Sequence, residues 1–368
     1  MQKYDIAAFI WPSYTGDEPR SRMFWGEGMG EWQSVKNSAP KANGYHWKRK
    51  PLWGYVNEAD PYVMESQISC AHDHGVNVFI YDWYWYDRRP FLEQCLDNGY
   101  LKAKNNDLVK FYLMWANHDA NHLWNIDQSD TNGSTVIWEG SQPWDEFKKV
   151  VHRVIEMYFH HPSYYKINGC PVFMIYDLVN LVKGLGSVEE AKKGLEYFRE
   201  ETVKAGFPGL HLQATAWRMN GTNLSGVDSS SGLTKAQFES LGFDSITHYQ
   251  FVHFTSLNRD YGEALADVKK EYEKIDENYD IPYFPHVSVG WDNNPRYKRF
   301  IDHVARGNTP EMFEVALRQA KDYADAHPDQ VPLITVNSWN EWTETSYLEP
   351  DNLYGYGYLE AIKRVFTE

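Results

Sequence analysis

Eight short apolar runs recur along the chain, and most are followed by a segment of helical periodicity; this alternation constrains the fold more than any other feature. The runs are Asp5–Trp11, Val76–Trp83, Lys110–Trp115, Val172–Tyr176, His211–Ala216, Asp244–Gln250, Tyr283–Val289 and Pro332–Val336. Each has the length and β-branched or aromatic content of a buried strand. Helical patterns are predicted over Pro61–His74, Pro90–Ala103, Trp144–Phe159, Ser187–Ala205, Thr234–Leu241, Tyr261–Tyr279, Pro310–His327 and Tyr358–Val365. Strands that alternate with helices make a parallel sheet, and eight such units close it into a (β/α)8 TIM barrel. An open doubly wound sheet is the alternative. No strand is followed by GxGxxG or GxxxxGK[ST], which weighs against it. No change of composition marks a boundary, so residues 1–368 are expected to form a single barrel domain with long βα loops.

Local signals support several of these boundaries. Asp60 and Pro61 read as N-cap and first helical residue, and Gly75 as the stop. Ser187 with Glu190 reads as a capping box. Thr309 and Pro310 open the seventh helix. Two long loops, Pro12 to Asp60 and Asn117 to Pro143, follow the first and third strands. The second contains DQSDTNGST, which lacks carboxylates at calcium-loop spacing and reads as turns. The polar stretch Asn220–Gly232 reads as a mobile loop.

Net charge of −15 and the absence of a long basic cluster exclude a nucleic-acid face. No run of eighteen apolar residues is present, so no membrane span is predicted. Cys70, Cys95 and Cys170 lie far apart, with neither disulfide nor metal spacing. The N-terminus MQKYDIAAFI enters a strand without signal-peptide architecture. The compartment therefore stays open: cytoplasmic for a chain that starts here, periplasmic or extracellular for one trimmed of a leader. Oligomeric state is equally open. No cofactor or metal is expected.

The chain carries 15 Trp and 26 Tyr, and aromatics make up 16% of it. Sugar rings stack their C–H faces on aromatic planes and need amide, carboxylate and indole partners at their rims. Core packing is the competing explanation, but the aromatics cluster at strand ends. A barrel places its site at the C-terminal ends of its strands. Those ends supply Trp11 and Tyr14; Asp82, Trp83, Tyr84 and Trp85; Trp115, Asn117 and His118; Tyr176 and Asp177; Trp217; His248 and Tyr249; Trp291, Asp292 and Arg296; and Trp339, Asn340, Glu341 and Glu344. The opposite ends carry residues such as Asn168, Gly169, Cys170 and Pro171. An aromatic and acidic bowl suits a carbohydrate partner.

Glu341 and Glu344 stand three apart after the last strand. On a straight strand they would face opposite ways; a turn after Glu341 brings both to one pocket. Two carboxyl groups flanking a sugar bond are the equipment of glycoside hydrolysis. A purely structural role, capping a helix or pairing with a base, is the alternative for Glu344 and Glu349. His118 and His122 have i, i+4 spacing but lie in a loop, which weighs against a metal pair. His248 is either a general base or an orienting donor to a hydroxyl. No GxSxG elbow is present.

Five segments carry a family resemblance: WYWYDRR at Trp83–Arg89, MWAN at Met114–Asn117, HPSYYKINGCPVFMIY at His161–Tyr176, GWDNNPR at Gly290–Arg296 and NSWNEWTETSYLEP at Asn337–Pro350. Together, and in that order, they resemble the WbsX-like group, which is related to the retaining endo-α-mannosidases and endo-α-mannanases of glycoside hydrolase family 99. The resemblance implies that Glu341, first of the E-W-x-E pair, acts as base on a sugar 2-hydroxyl and yields a 1,2-anhydro intermediate. It implies that Glu344 protonates the leaving oxygen and then activates water. Such roles need one carboxylate ionised and one protonated. Tyr249 is expected near the anomeric centre. Trp291, Asp292 and Arg296 are expected to shape the pocket, or Arg296 to brace Asp292. Where the group often has glycine after the second glutamate, this chain has Thr345.

Three functions are therefore in contention. The first is a glycoside hydrolase, retaining, on Glu341 and Glu344. The second is a glycosyltransferase of surface-polysaccharide assembly, since WbsX-like proteins are often so labelled; the lack of a nucleotide-sugar fold and of a DxD motif weighs against it. The third is a non-catalytic carbohydrate-binding barrel.

Overall fold

The computed structural model describes residues 3–16, 18–218 and 232–367. Among them, eight parallel strands form the barrel: β1 (Asp5–Ile10), β2 (Val78–Tyr86), β3 (Lys110–Trp115), β4 (Cys170–Ile175), β5 (His211–Thr215), β6 (Ser245–Thr247), β7 (His286–Ser288) and β8 (Leu333–Asn337). Their order is β6-β5-β4-β3-β2-β1-β8-β7. The ends of that path meet: Ile246 N donates to Pro282 O and Phe284 N to Ile246 O, both at 2.9 Å. The expected (β/α)8 barrel is therefore the observed fold.

The helices around it are α1 (Pro61–Asp73), α2 (Trp144–Val154), α3 (Leu178–Leu185), α4 (Val188–Lys204), α5 (Lys235–Leu241), α6 (Tyr261–Asn278), α7 (Pro310–Ala326) and α8 (Gly357–Phe366). Their starts follow local chemistry. The Asp60 carboxylate accepts from Tyr62 N at 2.9 Å ahead of α1, and Pro61 contributes a fixed φ. Thr309 and Pro310 open α7 the same way. Gly75 follows α1 at φ +89°, a conformation that costs glycine little.

Strand side chains alternate, and inward ones build the barrel interior. Part of it is polar and largely hydrogen-bonded: Tyr112 OH donates to Gln213 Oε1 (2.9 Å), Thr247 and Thr335 share a hydroxyl bond (2.8 Å), and His286 Nδ1 meets Thr335 Oγ1 (2.9 Å). Above them Phe9 packs edge-on against Tyr249, centroids 4.9 Å apart, and makes a floor under the cleft.

Four expectations change. Pro90–Ala103 is not an α-helix. β2 runs on to Tyr86 and folds back at Asp87 and Arg88, both left-handed (φ +52° and +62°), to pair with Arg89–Phe91. Cys95–Gly99 and Tyr100–Lys102 are then short π and 3-10 turns. The Glu190 carboxylate does not complete a capping box at α4. Ser187 accepts from Glu190 N (3.1 Å), but the Glu190 side chain is taken by Trp144 Nε1 (3.1 Å) and Lys193 (2.7 Å). Helix α3, started by Asp177 accepting from Asn180 N (2.9 Å), was not anticipated. The DQSDTNGST segment holds a one-turn helix, Ser129–Asn132, within its turns. The stretch read as a mobile loop, 220–232, lies outside the described residues except for Gly232.

Candidate active site

At the C-terminal end of the barrel opens a cleft of about 430 Å3. Twelve of the residues singled out in the sequence line it: Trp11, Asp82, Tyr84, His118, Tyr176, Asp177, Trp217, Tyr249, Trp291, Arg296, Glu341 and Glu344. Most sit at inward positions of strand ends, which is why one sheet face delivers them to one place.

The chain does turn after Glu341. A 3-10 turn over Trp342–Glu344 ends at Thr345, φ +55°, and brings both glutamates to the same guanidinium. Arg296 Nη2 donates to Glu341 Oε1 at 2.8 Å and Nη1 to Glu344 Oε1 at 2.7 Å. A β-branched residue in the left-handed region is strained. The Thr345 hydroxyl offsets this by accepting from Trp47 Nε1 (2.8 Å) and donating to Asp292 O (2.9 Å).

A third acid, Glu31, completes the arrangement and was missed in the sequence. Arg296 Nε donates to its Oε1 at 2.8 Å and Trp11 Nε1 to its Oε2 at 2.5 Å. Nothing local in MGEWQ announces this, because the partner lies 265 residues away. Arg296 thus does not brace Asp292; it gathers Glu31, Glu341 and Glu344. It is 4% exposed, so its charge is held by these acids rather than by water.

One guanidinium cannot neutralise three carboxylates, and Asp82 lies close enough to add to the field. Burial raises the pKa of both Glu341 and Glu344. The Glu344 charge pushes Glu341 higher still, while Arg296 pulls both back. Burial likewise raises Asp82, although its Oδ2 accepts from Tyr249 OH at 2.9 Å. The group therefore retains protons where isolated carboxylates would have lost them. Three buried polar atoms on cleft-lining residues have no partner among the described residues: Glu344 Oε2, Asp82 Oδ1 and Trp291 Nε1. Unsatisfied groups of this kind are costly unless a ligand or water meets them.

The facing wall is aromatic. Tyr176 packs on Trp217 (4.7 Å), and Trp217 stacks on His253 (5.5 Å, 27°). His253 was also missed; it lies on a 3-10 turn four residues beyond Tyr249, within reach of the same strand-end rule. Burial holds its imidazole down to about 3, so it is neutral near pH 7. Burial also lowers His118, whose Nδ1 faces the Asp119 carbonyl at 3.0 Å.

Nine sequence candidates lie outside this cleft. Trp83 and Trp85 alternate outward from Asp82 and Tyr84 and donate to Glu93 (2.8 Å) and Glu146 (3.0 Å). Trp115 packs on Phe147 beneath α2. Asn117 clamps the Asp177 backbone, at 2.8 and 2.7 Å. His248 is buried between Tyr283 OH (2.8 Å) and Glu271 (3.5 Å) of α6. Trp339 donates to Gln67 of α1 (3.1 Å), and Asn340 bonds Trp11 N (2.8 Å) and Glu58 (2.8 Å). Tyr14 OH accepts from Trp342 N at 3.1 Å. Asp292 turns to a neighbouring cavity, where Tyr45 OH and Asn294 bond it. No helix among the described residues is long and apolar enough to cross a membrane.

Two solved structures illustrate the likeness of fold. A glycoside hydrolase-like protein superposes with a TM-score of 0.63 at 14% identity, over 100% of this chain and 94% of the other. The GH99 endo-alpha-mannosidase from Bacteroides thetaiotaomicron gives 0.56 at 15% identity, over 98% and 95%. At these identities the likeness establishes the shared barrel. The uncharacterized protein WxcX of Xanthomonas campestris pv. campestris is 23% identical over 378 residues, 98% of this chain and 49% of its own length. The chain thus spans about half the length of the curated relatives it matches. Residues 6–362 match the family described as Glycosyltransferase WbsX, and the chain belongs to that family.

Proposed function

We propose that the protein is a carbohydrate-active enzyme, and specifically a glycoside hydrolase that cuts a glycosidic bond with Glu341 and Glu344. One observation carries the reading. Two glutamates share a buried guanidinium at the wall of an open aromatic cleft, and Glu344 keeps an unpartnered oxygen there.

In this reading the sugar stacks on the Tyr176–Trp217 wall, and Tyr249 and Asp82 meet it from the floor. Glu344 gives a proton to the leaving oxygen, a role that requires the bound sugar to move the shared proton to it from Glu341, which the Glu344 charge makes the stronger holder. Glu341 takes the proton of the 2-hydroxyl, whose oxygen closes on the anomeric carbon as the old bond breaks. Water then opens the three-membered ring with the roles reversed, and the anomeric configuration is retained. Arg296 holds both acids in place and limits their mutual repulsion. Substrate binding, which displaces water from the cleft, decides which of them carries the proton.

The test is turnover of a panel of defined oligosaccharides. The expected result is a new reducing end with the starting anomeric configuration, absent in Glu341→Gln and Glu344→Gln. Inversion observed by NMR as the first product would remove the proposed mechanism. The family description favours a second reading, transfer of a sugar from a nucleotide donor. Chain growth with release of a nucleoside diphosphate would establish it in place of the first.

A further inference from the structure

Behind the acid-bearing wall lies a second cavity of about 460 Å3. Trp291 lines both spaces, and Thr345, next in sequence to Glu344, lines the second. The two are tied by Asp292 N donating to Glu344 O at 2.7 Å. The far side of the second cavity is the segment 45–49, which presents the rings of Tyr45 and Trp47 together with His46, Lys48 and Arg49.

The charge balance of this cavity runs against that of the chain, which is −15 overall. Its lining acid is already engaged: Asp292 accepts from Tyr45 OH and from Asn294 Nδ2 (2.7 Å), while Arg49 is paired with Asp351 at 2.8 Å. His46 and Lys48 are exposed, and neither side chain has an ion pair or hydrogen bond among the described residues. A site with rings for a sugar face and spare donors at its rim, the Lys48 ammonium among them, fits a glycan bearing negative charge.

We propose that this cavity binds an acidic residue of the glycan, its anionic group held by Lys48 and His46 and its ring laid against Trp47 and Trp291. The placement as a neighbouring subsite rests on the hydrolase reading; the binding itself does not. The anion is either a uronate carboxylate or a phosphate ester, since both offer oxygens to the same two donors.

The experiment is ligand-observed NMR titration of the whole protein at low salt with glucuronate, glucose 6-phosphate and glucose. The expected result is that at least one anionic sugar binds about fivefold or more tightly than glucose, the worth of one partly exposed ion pair. That preference should weaken with added salt. The double substitution H46Q/K48Q should abolish it, and K48Q alone should reduce it; both positions are exposed, and a thermal melt checks that the fold is kept. Comparing the two anionic sugars identifies the source of the charge. Equal binding of all three sugars overturns the proposal, and so does a preference that survives H46Q/K48Q. Loss of the hydrolase reading with the preference intact would leave an acidic-glycan binding site without cleavage.

Discussion

Two buried acid clusters hang from the segment that follows β8, and they are built on opposite plans. On the cleft side Glu31, Glu341 and Glu344 surround the guanidinium of Arg296. On the α1 side Glu58 and Glu349 have no paired cation among the described residues; amides and an indole serve them instead. Gln67 Nε2 donates to both (3.2 and 2.8 Å), Asn340 Nδ2 to Glu58 (2.8 Å) and Trp342 Nε1 to Glu349 (2.5 Å). Burial raises carboxyl pKa values in both clusters, and that of Glu58 reaches about 7. A displaced acidity alone therefore does not mark a site. What separates the two is access: the Glu344 side chain is 14% exposed toward the cleft, while Glu58 is fully buried. The cation-centred cluster can offer an oxygen outward. The cation-free cluster keeps its proton and holds the scaffold.

Four experiments can break or sharpen this contrast. The largest effect is on turnover. Glu341→Gln and Glu344→Gln are each expected to lower it about 10³-fold, whereas Glu349→Gln should leave it within about tenfold; steady-state kinetics on the responding oligosaccharide checks this. A comparable loss from all three would erase the distinction between the clusters.

Next is the cation. Arg296→Met strands buried carboxylates and is expected to cost about 3–5 kcal/mol at pH 7. The cost should shrink at acidic pH, where those acids hold protons without help. Urea unfolding at two pH values measures both.

Third is the proton of the α1 cluster. Glu58 rises from 4.5 unfolded to about 7 folded, so the folded state binds the extra proton. Its stabilisation is full below pH 4.5 and is lost as pH rises to about 7, a change of about 3 kcal/mol. Glu58→Gln should flatten that part of the stability curve relative to the parent, even if the amide costs a hydrogen bond to Asn340. An unchanged slope would mean that the proton resides elsewhere.

The smallest effect concerns the turn itself. Thr345→Gly relieves the left-handed strain but loses two hydroxyl bonds, and should change stability by less than about 1 kcal/mol. Thr345→Ala keeps the strain, loses the bonds and should cost about 2 kcal/mol. Thermal melts of the two variants give the order.

Much of the barrel was legible because its signals are local. Asp60-Pro61, Thr309-Pro310 and the apolar runs each act within a few residues, and local chemistry is what caps and strand periods encode. The rim rule found Glu341, Glu344, Asp82, Tyr249 and Trp291 because a parallel barrel sends all strand ends one way. It failed for Trp83, Trp85 and Trp339, where one step along a strand reverses the side chain.

By itself, then, the sequence determined a (β/α)8 barrel with an acidic, aromatic rim, since periodicity and caps depend on neighbours in the chain. Only the tertiary structure decided that Glu31 joins Arg296, that His253 faces the cleft and that Glu58 shares its surroundings with Glu349. Those pairings span tens to hundreds of residues, and no local pattern fixes which distant groups close a buried charge balance.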